Sequence, residues 1–376
     1  MLRSSIPLAP TLLLAACGSL ESVGLSVDAR PERQRYVAHR APQPLWIDGL
    51  LDEAAWVAAP PTAAFVDIQG VPLPRPRQAT SAKLLWDSDY LYIGADLVEP
   101  HLWGTLTRRD SVIFHDNDFE VFLDPDGDTH DYYELEINAL GTEWDLLLEK
   151  PYRDGGPALH EFDTPGLESA VALAGTLNDP SDIDQGWSVE IAIPWAALRA
   201  IAGRPVPPTD GDVWWVNFSR VQWRLDVEVS DAGEGSYVKR CDEAGKPLPE
   251  DNWVWSPQGV IAMHEPESWG LVMFAEEPVT ELDPRAPREF ANPADLDQRA
   301  LLRAVYKAQH AFRAGNGSFS ERPSQLGVGA EDLGDWTLTL HVTPSGFEAV
   351  LVWRAPGAGG ASADHKLRID ERGHLW

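Results

Sequence analysis

Residues 114–138 read FHDNDFEVFLDPDGDTHDYYELEIN. In an extended chain, alternate side chains share a face. Phe119, Val121 and Leu123 therefore fall on one side, and Asp118, Glu120 and Phe122 on the other. In the second half Tyr133, Leu135 and Ile137 share a side, opposite Glu134, Glu136 and Asn138. Between the halves stands Asp124-Pro125-Asp126-Gly127-Asp128-Thr129-His130-Asp131, a run of turn formers. The pattern predicts two antiparallel strands. One face feeds a core, and the other gathers Glu120, Glu136 and Asn138. Unpaired carboxylates are costly to bury, so that polar face must be solvated, paired with cations or bound to a ligand. Arg109, Arg220 and Arg224 are the cations that strand position places nearest.

Outward from this hairpin, further short strands are expected at 83–86, 90–96, 142–148, 168–174, 186–193, 212–223 and 269–274. They are rich in β-branched and aromatic residues and separated by Gly, Asp, Pro and Asn. Long helical patterns are absent from this region. The fold class is mainly β, an antiparallel, jelly-roll-like β-sandwich over 44–277. The chain of 376 residues has 16 Trp, enough to fill a core and still supply an exposed platform. Residues 278–293 are a Pro-rich linker. Beyond it, 294–376 predict a small α+β unit. Leu301, Val305, Ala308 and Phe312 form one helical stripe, with Asp295 or Asp297 as start signal and Gly315 as stop. Strands follow at 336–342, 346–354 and 366–370. This unit resembles the globular half of type IV pilin-like proteins.

The N-terminus, MLRSSIPLAPTLLLAACGSL, carries Arg3, an apolar run and then Leu14-Ala15-Ala16-Cys17-Gly18. The run is too short to span a bilayer, for which ~20 residues are needed. It resembles a bacterial lipoprotein signal. The resemblance implies cleavage after residue 16, lipidation of Cys17, a tether over 17–43 and a place in the cell envelope, anchored to a membrane. Cys241 then has no disulfide partner, and the exported protein depends on its core. A net charge of −29 disfavours nucleic acid as a partner.

The 124–131 loop alternates acidic side chains around a glycine, as a Ca²⁺ loop requires. Asp124, Asp126, Asp128 and Asp131 are the candidate ligands, and an ordinary Asp/Gly turn is the alternative. The loop offers one His and no thiolate, which disfavours transition metals.

Several segments together resemble family 9 carbohydrate-binding modules. Trp46-Ile47-Asp48-Gly49-Leu50-Leu51-Asp52-Glu53-Ala54-Ala55-Trp56 is similar to the family's opening IDGxxDExxW. Asp89 to Ile93, Asn117 to Asp124, Val189 to Trp195 and Trp269 to Leu271 follow in the family's order. The resemblance covers about residues 44–275. It implies a β-sandwich, structural Ca²⁺, and a sugar held between two Trp rings with a polar rim. Carried onto this sequence, the rim falls on Glu120, Glu136 and Asn138, with Asn117 and Arg220 beside it. Glu136 stands where the family has Arg. Phe114 and Met263 stand where it has the clamping tryptophans. Trp223, Trp253 and Trp255 are the rings expected to compensate, since Trp253 and Trp255 alternate in a loop-like run. The expected function is glycan binding, in support of polysaccharide breakdown. An envelope assembly lipoprotein, docking a protein through the C-terminal unit, is the alternative. Glu120 and Glu136 also have the cross-strand spacing of a retaining glycosidase pair, but no other hydrolytic motif accompanies them.

Overall fold

The structure is a computed structural model that describes residues 31–71, 73–353 and 365–376. Cys17, the signal and most of the tether lie outside the described residues.

The acidic segment forms the expected pair, Asp118–Asp124 and Tyr132–Asn138. Its register sets Asp118 against Asn138, Glu120 against Glu136 and Phe122 against Glu134. On one flank the pair joins Glu143–Leu148, and on the other Val213–Gln222 and then Gly270–Pro278. A second group of strands, Thr80–Trp86, Tyr90–Val98, Gly186–Pro194 and Glu168–Ala174, is antiparallel throughout. The two groups face each other as the layers of a β-sandwich. Phe119, Val121, Leu123, Leu135 and Ile137 meet Leu84, Ile93, Val189 and Ile191 in one core.

Arg35–Arg40, read from sequence as tether, is a strand that joins the layers. It lies parallel to both Gly270–Pro278 and Thr80–Trp86. Tyr36 and Ala38 alternate into the core, but the flanking charges hide that period in the sequence. The hairpin Leu225–Val229/Gly235–Lys239 and the strand Asp251–Val254 were also not expected.

The opening motif has a structural reason. Backbone N–H groups of Asp48 (2.9 Å) and Gly49 (2.8 Å) and Nε1 of Trp56 (2.6 Å) all donate to the buried Glu190 carboxylate. Gly49 has φ +89°, and a Cβ there would lie 2.6 Å from the Ala172 nitrogen. Only glycine fits so close a crossing.

In the C-terminal unit the helix Leu296–Asn316 packs on the antiparallel strands Trp336–Val342, Phe347–Trp353 and His365–Asp370. Leu302, Val305, Tyr306 and Ala308 enter its core, while Leu301 and Phe312 are partly buried. Gly315 lies inside the helix. Gly317, at φ +77°, closes it, and its N–H donates to the Arg313 carbonyl. Asp295 caps no amide with its side chain and pairs instead with Arg299.

Candidate functional site

The register brings Glu120 and Glu136 side by side, as the alternation implies, but their face is covered. Asp118 is 0%, Glu120 5%, Glu134 4% and Glu136 2% exposed. An apolar cluster shares that face, with Phe122 and Trp144 from the sheet itself, Ile113 and Trp269 from flanking segments, and Phe114 and Met263 half-buried at its margin. Burial pushes Glu120 up to about 7 and raises Asp118, Glu134 and Glu136 well above the usual carboxylate range. The three expected cations are engaged elsewhere. Arg109 pairs with Glu143, Asp145 and Asp163; Arg220 pairs with Glu99 at 2.9 Å; Arg224 pairs with Asp251 at 2.9 Å.

Several expected contact residues are scaffold. Asn138 is fully buried. Its Nδ2 donates to the Leu106 carbonyl and to Asp116, and its Oδ1 accepts from the amides of Leu140 and Thr142. No capacity remains for a sugar hydroxyl. Arg220, 1% exposed, donates to Gln222, Thr80, the Val98 carbonyl and Glu99. Trp253 and Trp255 are 3% and 1% exposed and belong to the sandwich core. The Trp255 ring lies 5.8 Å from that of Phe218. The reason is a strand that sequence reading missed. Asp251–Val254 pairs with Val213–Gln222, so the alternation turns these rings inward. Asn117 is buried and positions its neighbours: its Oδ1 accepts from the Trp223 amide and its Nδ2 donates to Glu99.

Trp223 is half-buried, and its Nε1 donates to the Phe114 carbonyl at 2.8 Å. It lines a cleft of about 570 Å³ together with Arg77, His101, Arg224, Arg240 and Asp251. Arg77 and Arg224 share the Asp251 carboxylate. Lys239 places its Nζ 3.3 Å from the centroid of the Trp223 ring, a cation–π contact that fixes the ring. The edge of Trp253 also reaches this cleft, and Arg77 and Arg220 lie 5.3 and 5.4 Å from its centroid. An aromatic wall with several convergent polar groups is the usual lining of a small-molecule site. Sequence reading found Trp223 but not the cleft, because His101, Arg77, Arg240 and Asp251 come from distant segments.

In the 124–131 loop, Asp124, Asp126 and Asp128 bring carboxylate oxygens within 4.8 Å of one another, and Asp131 stands outside that group. The loop's oxygens are largely engaged already. Asp124 accepts from the amides of Gly127 (2.9 Å) and Thr129 (3.0 Å), and Asp128 from the His130 amide and from His374. Arg299 donates to the carbonyls of Asp126 and Gly127, and Arg303 to that of Asp128. Two guanidiniums from the C-terminal helix thus take acceptors that a Ca²⁺ ion would need. The loop fits Ca²⁺ poorly.

Residues 47–273 match the model of the family described as carbohydrate family 9 binding domain-like. The chain is 27% identical over 170 residues to an exoglucanase XynX of Acetivibrio thermocellus and 27% identical over 168 residues to an endo-1,4-beta-xylanase A of Thermoanaerobacterium saccharolyticum. These alignments cover 44% and 43% of this chain but only 12% and 11% of the relatives. Among solved structures, a family 9 module of Caldicellulosiruptor kristjanssonii in complex with cellotriose aligns with TM-score 0.40 and 14% identity. It covers 68% of this chain and 100% of its own. A putative carbohydrate-binding protein of Bacteroides uniformis aligns at 0.42 and 15%, covering 65% and 100%. With the family model matched across most of the sandwich, this chain belongs to the carbohydrate family 9 binding domain-like family.

Proposed function

We propose that this chain is an exported, lipid-anchored carbohydrate-binding protein that holds a glycan in the cleft beside Trp223. Cys17 carries the anchor in the cell envelope, and the bound glycan is a substrate of polysaccharide breakdown. The observation that carries the reading is the cleft itself, with Trp223 fixed in its wall and Arg77, Arg224 and His101 facing the same space. Such side chains offer an apolar surface to a sugar ring and donors to its hydroxyls. The names of the relatives, an exoglucanase and a xylanase, support plant-type glucans and xylans as the first ligands to try.

The test is isothermal titration with cello- and xylo-oligosaccharides, extended to a glycan array. Trp223→Ala should weaken binding about tenfold, equivalent to ~1.4 kcal/mol of lost contact. Trp255→Ala, a core substitution, should lower stability by ~3–5 kcal/mol. Failure of every glycan to bind, or binding untouched by Trp223→Ala, would refute the proposal. The assembly-lipoprotein alternative would then be the better account. Release of free sugar during the titration would instead point to hydrolysis.

A further inference from the structure

We propose that the sandwich docks on the lipid bilayer through an apolar surface around Pro31, formed by the loops 68–74 and 257–263. The inference rests on the reading of Cys17 as the lipid anchor.

Two segments distant in sequence are held together there. The Ile68 carbonyl accepts from the amides of Gln258 (2.8 Å) and Gly259 (3.2 Å). Pro31 packs against a glycine of each loop. A Cβ on Gly70 would lie 3.2 Å from the Pro31 Cγ, and one on Gly259 would lie 3.1 Å from its Cδ. Ile68, Pro257 and Gln258 are buried and fix the base of the loops. Past this base the side chains meet solvent. Val71 is 92% exposed, Ile261 67%, Val260 44% and Leu73 38%, and Val71 is the most exposed large apolar side chain among the described residues.

Neither run contains a charged residue, although 24% of the chain is charged. The charges that flank them in sequence or beside Pro31 are engaged. Asp67 accepts from the Gln69 amide (2.9 Å), Glu32 pairs with Arg35 (3.3 Å), and Arg33 donates to the Glu267 carbonyl. Single exposed apolar residues are ordinary, but several gathered on two adjoining loops mark an interaction surface.

The chain before Pro31 says what covers it. Residues 17–30 span at most ~50 Å even when fully extended, so a lipid on Cys17 keeps the bilayer within reach of the surface at which the tether enters. An anchor makes the second contact intramolecular, and a weak apolar patch then suffices. The net charge of −29 opposes adsorption to anionic headgroups, and an uncharged surface is the part of this protein that approaches a bilayer at least cost. Pro74 and Arg75, next along the first loop, line the Trp223 cleft, so docking also sets the rim of the cleft beside the membrane.

The experiment uses residues 17–376 with the exposed Cys241 replaced by serine. Cys17 is coupled to a maleimide lipid in vesicles of phosphatidylethanolamine and phosphatidylglycerol, and amide hydrogen exchange is compared with that of the uncoupled chain. Coupling should slow exchange about tenfold in 69–74 and 258–263 and leave the exposed turn 230–234 unchanged. The slowing should vanish in the double variant Val71→Asp/Ile261→Asp, whose near-UV circular dichroism should match wild type because both positions are exposed. No slowing on coupling overturns the proposal, as does slowing that survives the double variant. Protection already present in the uncoupled chain would assign the surface to residues 17–30 instead. Protection that follows protein concentration rather than coupling would assign it to a second copy. Either result overturns docking on lipid. Mass spectrometry of Cys17 in the protein from the exporting cells tests the anchor separately, and Trp223→Ala should leave the slowing intact, which separates docking from glycan binding.

Discussion

Arg303→Met tests how the C-terminal unit is fastened to the sandwich. The guanidinium is 4% exposed. It donates to the Asp128 carbonyl at 2.8 Å, to the Thr129 hydroxyl at 2.6 Å and to the Gly373 carbonyl. Asp128 and Thr129 belong to the acidic loop and Gly373 to the turn after the final strand of the C-terminal unit, so a single side chain ties loop, helix and that turn together. Hydrogen bonds from a charged group contribute ~1.5–3 kcal/mol each. Simple addition would give about 5–9 kcal/mol, but Met also removes the cost of burying the charge. Met fills much of the volume and removes the charged donor from three acceptors, of which the Gly373 carbonyl keeps the Thr129 hydroxyl at 3.3 Å, so a net loss of about 3–5 kcal/mol is expected. Urea denaturation gives the total, and amide hydrogen exchange gives its location. Exchange should quicken in 124–131 and in Leu296–Asn316, while Asp118–Glu120 and the cleft stay protected. A loss under ~1 kcal/mol with unchanged exchange in the loop would show that the clamp is not what joins the units.

Glu190→Ala leaves the amides of Asp48 and Gly49 and the indole of Trp56 without their acceptor. The expected loss is ~3 kcal/mol by chemical denaturation, and a value below ~1 kcal/mol would count against the role assigned to the opening motif. The buried carboxyls Asp118, Glu120, Glu134 and Glu136 should also give a characteristic pH response. Burial raises Glu120 to about 7 in the folded state, above its ordinary value. The folded protein then holds a proton that the unfolded chain has released, so this stabilisation is full at low pH and is lost as pH rises through about 7. Calorimetry should show the melting temperature of wild type falling relative to that of Glu120→Gln between pH 5 and 7.5. A relative rise over that window would contradict the assignment.

The sequence carried the local pattern of the sandwich and little of its long-range covering. Alternation in 118–124 and 132–138 identified the core-facing residues, but two faces fix only the parity of the register, and the pairing of Glu120 with Glu136 came from the structure. What covers the other face depends on Trp144, Trp269 and Ile113, whose approach no local pattern reveals. The same limit explains Trp253 and Trp255. Their alternation was legible, but the strand that would receive it was not. Arg35–Arg40 was missed because its short apolar period is interrupted by charge, and its pairing with two parallel strands is set by segments about 50 and more than 200 residues downstream. The acidic loop was legible as a loop, and its cations were not. Arg299 lies 173 residues beyond the Asp126 carbonyl it contacts.

The placement of cations bears on why the acidic face differs from the acidic loop. Acidic residues outnumber Lys and Arg by 59 to 30, so many carboxylates cannot be matched by a side-chain cation. The fold directs Arg299 and Arg303 to the loop, Arg220 to Glu99 and Arg109 to Asp145. Among the described residues no Lys or Arg forms an ion pair with Asp118, Glu120 or Glu136, although all three are buried. Protons neutralise such a cluster, which makes stability fall as pH rises.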